Sequence, residues 1–167
     1  MPGSEDKKPA RVRRAVFPAE AGLVRSLFKE YETSTGQSLC FQGFEEELAS
    51  LPGKYSEPLG VILLAETTDA AIGCVALRPE PRAGDGACEM KRLYVRASQR
   101  GLGAGHLLCE ALFTEAEALG YRVMVLDTLP AFASAVRLYE GFGFRERQRY
   151  NDDPDPETIF MELRLPR

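Results

Sequence analysis

Gly101, Gly103 and Gly105 recur at every second position in RGLGAGHLL, where a stretch reading LYV gives way to a helical pattern. With no β-carbons in the way, several backbone N–H groups of such a turn can converge on a shallow cup at a helix N-terminus, and that cup suits phosphate oxygens. The same glycines would serve equally well in a tight turn that binds nothing. Two other anion-binding patterns are missing. There is no GxxxxGK[ST], and the glycines come late, after an apparent hairpin meander, rather than as GxGxxG behind a first strand. His106 is the only histidine, and Cys40, Cys74, Cys88 and Cys109 lie far apart with no CxxC. This set supports neither an HExxH site nor a structural zinc site, so no metal is expected. Cys88 and Cys109, without a neighbouring histidine, read as small apolar core side chains rather than nucleophiles.

The elements that would carry these residues follow from periodicity. A polar stretch with Pro2, Gly3 and Pro9 predicts a flexible tail over residues 1–10. One domain is then expected over residues 11–167. A strand over 11–17 leads to a helix over 18–31 with Ala21, Val24, Leu27, Phe28 and Tyr31 on one face, and a short helix over 44–51 follows. VILLAE and AIGCVALRP predict a hairpin, CEMKRLYVR a half-buried strand, and the segment after the glycines a long helix stopped by Gly120. VMVLD, a helix over 131–139, a strand over FGFRERQRY and a final strand over TIFMELRL complete the order. The expectation is an α/β domain, a mixed twisted sheet of six or seven strands flanked by helices.

The 167 residues, 44% hydrophobic and 28% charged, match an ordinary globular protein. With 25 acidic and 21 basic side chains the net charge is −4, which argues against a nucleic-acid partner. The longest apolar run, PLGVILLAE, is too short to cross a bilayer, and the N-terminus lacks a signal-like apolar stretch, so no membrane partner and a cytoplasmic location are expected.

The stretch Arg100-Gly-Leu-Gly-Ala-Gly105 resembles the [RQ]xxGx[GA] acetyl-CoA signature of the GCN5-related N-acetyltransferase (GNAT) superfamily. A second element, SAVRLYEGFGF, with Ala135, Leu138, Tyr139, Gly143 and Phe144, is similar to the AxxLYxxxGF pattern that follows that family's fifth strand. The resemblance covers most of the chain. It implies a GNAT fold in which the fourth and fifth strands splay apart and the pantetheine arm of acetyl-CoA enters the gap. Backbone groups of Leu93 and Val95 would bond to pantetheine, a β-bulge near Tyr94 would aim an N–H at the thioester carbonyl, and the amides of Arg100, Gly101, Gly103, Ala104, Gly105 and His106 would hold the pyrophosphate. Phe132 stands where many members carry a cofactor-binding asparagine, so a contact there would be apolar or made by backbone.

The implied reaction is direct attack of an amine on acetyl-CoA. The resemblance makes Tyr139 the candidate acid for the departing thiolate. Glu89, on the strand carrying the oxyanion donor, is the candidate base, with a salt bridge to Lys91 or Arg92, or a solvated face, as the alternative. The acceptor would be a primary amine on a small molecule or a protein. The surround expected for it is Phe28, Tyr31, Phe41, Phe44 and Glu45 with the acidic loop Asn151, Asp152, Asp153, Asp155 and Glu157, which suits a cation. A protein of the same fold that binds acyl-CoA without turnover is the alternative, and either a monomer or a homodimer is compatible.

Overall fold

The computed structural model describes residues 8–167. Most of the expected N-terminal tail therefore lies outside the described residues. In chain order the elements are β1 (Arg11–Arg14), α1 (Ala21–Thr35), α2 (Phe44–Ser50), β2 (Val61–Glu66), β3 (Ala71–Pro79), β4 (Ala87–Val95), α3 (Ala104–Ala118), β5 (Val123–Thr128), α4 (Ala133–Phe142), β6 (Arg145–Glu146) and β7 (Ile159–Arg164). They form a seven-stranded mixed sheet in the order β1-β2-β3-β4-β5-β7-β6. All neighbours are antiparallel except β4 and β5, which run parallel. The expected α/β architecture is the one observed.

Strands β2, β3 and β5 are apolar over most of their length because both faces of the sheet are covered. Leu63 of β2 and Val75 of β3 join α3 residues Leu108, Leu112 and Phe113 in one core, while Ile62, Leu64 and Cys74 turn to the other face against Val24, Leu27 and Phe28 of α1. Each strand residue thus switches cores at every step, which fixes the register. On the second face, beyond these, Val125, Tyr150 and Phe160 form a smaller cluster.

Several boundaries differ from the sequence expectation. Helix α1 starts at Ala21 rather than Pro18, because Glu20 folds back to accept from the Val16 N–H (2.8 Å) and to pair with Arg13 (2.7 Å) in a turn. Helix α4 runs on through Tyr139 to Phe142, and Gly143 at φ +103° closes it. Only Arg145 and Glu146 of the expected strand over FGFRERQRY pair as β6.

The parting of β4 from β5 matters most for function. Their parallel ladder covers only Ala87–Glu89 against Val123–Val125. Beyond that rung β4 pairs with β3 alone, and its register slips: Lys91 stands opposite Ala76 and Tyr94 opposite Cys74, so that Arg92 and Leu93 share the space facing Val75. Such a bulge bends the strand and raises its twist. It is centred on Arg92, at φ +61°, a left-handed conformation that costs a non-glycine residue of order 1 kcal/mol or more. The bulge expected near Tyr94 is thus present, in the two residues that precede it.

Candidate active site

A cavity of about 950 Å³ opens along the parting of β4 and β5 and extends to the start of α3. At that start the backbone is built as the glycines demand. Gly101 and Gly103 have φ of +81° and +82°, and a β-carbon on either would meet no other atom within 4 Å. The space above them is open. The helix begins with Leu107 N–H bonding to the Gly103 carbonyl, Gly103 offers no side-chain cap, and among the described residues no backbone acceptor takes the N–H groups of residues 101–106. Free amides at a helix N-terminus over open space form an anion cradle, and this fits a pyrophosphate.

Gly101, Gly103, Ala104, Gly105 and His106 all border the cavity. Arg100 also borders it but in a different way from the one expected. Its amide already donates to the Ala97 carbonyl (3.3 Å), and its guanidinium donates to the Val95 carbonyl (2.8 Å) beneath the Tyr94 ring, 5.9 Å from the centroid. The His106 ring stacks on Phe142 (4.6 Å) and reaches Glu110 (3.2 Å), at the rim. Leu93, Tyr94 and Val95 lie along the unpaired stretch of β4, and Phe132, at the N-cap of α4, lines the opposite wall.

Tyr139 lines the cavity and is otherwise buried, packed edge-on against Phe144 (5.7 Å). Among the described residues nothing hydrogen-bonds to its hydroxyl. Burial, reinforced by Cys109, Tyr31 and Asp127, holds its pKa well above the ordinary phenol value. It keeps its proton throughout the range in which an enzyme works. Burial likewise pushes the Cys88 and Cys109 thiols up to about 12, so neither is a nucleophile.

Glu89 is not at the cavity. Its side chain is fully buried at the last β4–β5 rung, accepting from Arg78 Nε (2.9 Å) and Nη2 (2.8 Å) and from the Tyr150 hydroxyl (2.6 Å). The salt-bridge alternative is correct in kind, but the partner is Arg78 rather than Lys91 or Arg92. Arg78 takes one carboxylate oxygen of Glu89 and the Tyr150 hydroxyl the other. These three bonds make Glu89 an anchor between β3, β4 and the Tyr150 segment.

The acceptor surround is also partly corrected. Phe28 and Phe44 are buried in the core, Glu45 is exposed, and the Phe41 side chain lies outside the described residues. Tyr31, Asp153 and Asp155 border the cavity; Asp152 and Glu157 do not. The loop carboxylates cap their own backbone, with Asp153 Oδ1 accepting from Asp155 N–H (2.9 Å) and Asp155 Oδ1 from Glu157 N–H (2.9 Å). The acidic run is chiefly a turn device.

Reasoning from sequence did not single out Asp127, Lys91, Arg92 and Gln42 as cavity residues. Asp127 accepts from Asn151 Nδ2 (2.8 Å) and stands 3.8 Å from Lys91 Nζ. Arg92, the bulge residue, is clamped by Glu47 (2.9 and 3.0 Å) and by Gln42 (2.8 Å), above the Phe44 ring. Glu47 in turn accepts from Tyr55 (2.9 Å). Signals were present: Asp127 follows an apolar run in its strand, and Lys91-Arg92 puts two adjacent cations into a strand whose two faces are both covered.

The chain matches the model of the acetyltransferase (GNAT) family over residues 24–144. The chain belongs to that family. This acetyltransferase is 42% identical over 150 residues to an uncharacterized N-acetyltransferase of Schizosaccharomyces pombe, a match covering 89% of this chain and 91% of the relative. Among solved structures it resembles a GNAT acetyltransferase of Staphylococcus aureus (TM-score 0.78, 17% identity, 94% and 99% of the two chains). It also resembles an acetyltransferase of Salmonella typhimurium that was solved with acetyl-CoA (TM-score 0.66, 21% identity, 93% and 94%). The enzyme transfers an acetyl group to an amine, as its family does.

Proposed function

We propose that the parting of β4 and β5 takes the acetyl-CoA arm, that the Gly101–His106 amides hold its pyrophosphate, and that Tyr139 protonates the departing sulfur. The observation that carries this reading is a strand edge left unpaired from Met90 to Val95, leading to a cradle of free amides, with an unbonded and protonated phenol on the same cavity. An unpaired strand edge is a ready partner for a peptide-like arm. Acetyl-CoA supplies an activated thioester; the amine nitrogen bonds to its carbonyl carbon, the C–S bond breaks, and coenzyme A leaves as the thiol.

The protein's residues have three tasks. Backbone groups of Leu93 and Val95 orient the arm, and the bulge at Arg92 turns the following N–H groups away from the β3 ladder, toward the charge that develops on the carbonyl oxygen. Tyr139 gives its proton to sulfur, and one of the two protons shed by the amine replaces it while the other reaches solvent. Phe132 offers the arm an apolar wall.

Calorimetric titration with acetyl-CoA tests this directly. A valine at position 103 faces a forbidden φ and fills the cradle, so Gly103→Val should weaken binding by at least about tenfold while the circular dichroism spectrum stays native. Arg100→Ala, whose side chain contacts the protein's own carbonyl, should cost less. Unchanged affinity in a folded Gly103→Val protein would refute the proposal.

A further inference from the structure

The last rung of the β4–β5 ladder joins Glu89 to Val125. By strand alternation Lys91 and Asp127 are the next residues of the two strands on that same face, and they flank the point where the strands part. Lys91 Nζ lies 3.8 Å from Asp127 Oδ1, beyond hydrogen-bond distance, although its side chain is only 5% exposed. Its one hydrogen bond goes to a neutral acceptor, Gln42 Oε1 (3.1 Å). An ammonium has three protons to donate, and a buried charge so poorly partnered is costly. Asp127 is in the complementary condition, with the amide of Asn151 on one oxygen and lone pairs left over. Arg92 does not share this vacancy, because Glu47 and Gln42 use its guanidinium.

A third group points the same way. Thr158, which directly precedes β7 and borders the same cavity, carries the one fully buried side-chain oxygen without a hydrogen-bond partner among the described residues. Buried polar groups are nearly always bonded, and an orphan on a cavity wall marks a place for a ligand.

We propose that the acceptor is a small amino carboxylate, whose carboxylate pairs with Lys91 and whose amine meets Asp127 beside the parting of the strands. This deepens the acetyl-transfer reading and rests on it. A zwitterion answers both half-satisfied charges at once, with its sign order reversed against theirs. A polyamine would bring a second positive charge against Lys91, and a protein N-terminal amine carries an amide where the carboxylate is wanted. Asp127 takes the proton that the incoming ammonium must lose before its nitrogen can bond to the acetyl carbon, and passes it to solvent. Once acetylated, the nitrogen is neutral and no longer pairs with Asp127, which favours release of the product.

The test is thiol release from acetyl-CoA with a panel of α- and β-amino acids, each beside its primary amide and its decarboxylated amine. At least one amino acid should exceed both of its partners in kcat/KM by about tenfold or more, as expected for one charge-assisted contact. Lys91→Met and Lys91→Gln should each bring the acid-to-amide ratio close to one, with calorimetric acetyl-CoA affinity as the check that both variants fold. Amides or plain amines used as well as the acids, or a preference that survives both Lys91 variants, would overturn the acceptor assignment and leave acetyl transfer standing. Acetyl-CoA binding with no turnover of any panel member would also overturn it, in favour of a protein amine. Absence of acetyl-CoA binding would bring down the transfer reading itself.

Discussion

Glu89→Gln separates the two roles open to a carboxylate on β4. The substitution keeps the shape and one acceptor oxygen but removes the charge that faces Arg78. Arg78 is itself largely buried, and its next carboxylate, on Glu80, is 4.0 Å away. Removing one partner of a buried ion pair costs about 3–5 kcal/mol. The retained amide oxygen, which can still accept from Tyr150 or Arg78, and the proximity of Glu80 favour the low end, about 3 kcal/mol. With a urea dependence of about 2 kcal/mol per molar, the unfolding midpoint should drop by roughly 1.5 M. At low temperature, where both proteins are folded, kcat should stay within about threefold of wild type. The assay is paired: urea unfolding followed by circular dichroism, and thiol release with saturating acetyl-CoA and an accepted amine. An unshifted midpoint together with a kcat loss of about 100-fold or more would refute the structural assignment and restore Glu89 as the base.

Tyr139→Phe keeps the ring packed on Phe144 and removes the proton donor, so kcat should fall by about ten- to a hundredfold while acetyl-CoA affinity changes little; equal kcat, measured where chemistry limits turnover, would leave Tyr139 a packing residue. Because burial raises this phenol's pKa, kcat should show no alkaline limb due to Tyr139 up to pH 10, and a wild-type limb below 10 that vanishes in the Phe variant would contradict that. The Arg13 guanidinium holds the Glu20 carboxyl at about 2 in the folded state, so its stabilising effect is complete above the ordinary carboxylate range and fades as pH falls from about 4.5 to about 2. Glu20→Gln should therefore lower stability at pH 7 and make little difference near pH 2, in thermal melts at the two pH values. Native protein should react quickly with iodoacetamide at Cys40 alone, with Cys74, Cys88 and Cys109 reacting only after unfolding, as mass mapping of the alkylated peptides would show.

The fold was legible because its information is local: apolar runs, alternation, and glycines that stop helices. Strand β5, helices α2 and α3 and the glycine turn are found where periodicity puts them, to within a residue or two of their ends. The short β6 was overread because FGFRERQRY alternates well but meets β7 at only two residues. The interior of the site was harder to read, since its partners are distant in sequence. Glu47 and Arg92 lie 45 residues apart and Tyr150 and Glu89 61, and no spacing rule links such pairs. Glu89 was chosen for its strand and its apolar neighbours, which are equally the surroundings of a buried ion pair. The bulge before Tyr94 was expected, but alternation in KRLYV does not reveal that Arg92 is the residue that takes the left-handed conformation.

The most direct measurement of the central claim is mass spectrometry of the products formed from acetyl-CoA carrying a labelled acetyl group and an amino-acid acceptor, run beside the Tyr139→Phe and Gly103→Val proteins. The expected result is an N-acetylated acceptor carrying the label, formed one for one with free coenzyme A, slower with Tyr139→Phe and requiring more acetyl-CoA with Gly103→Val. Release of coenzyme A with no labelled N-acetyl product from any amine, or product formation indifferent to both substitutions, would contradict transfer at the parting of β4 and β5.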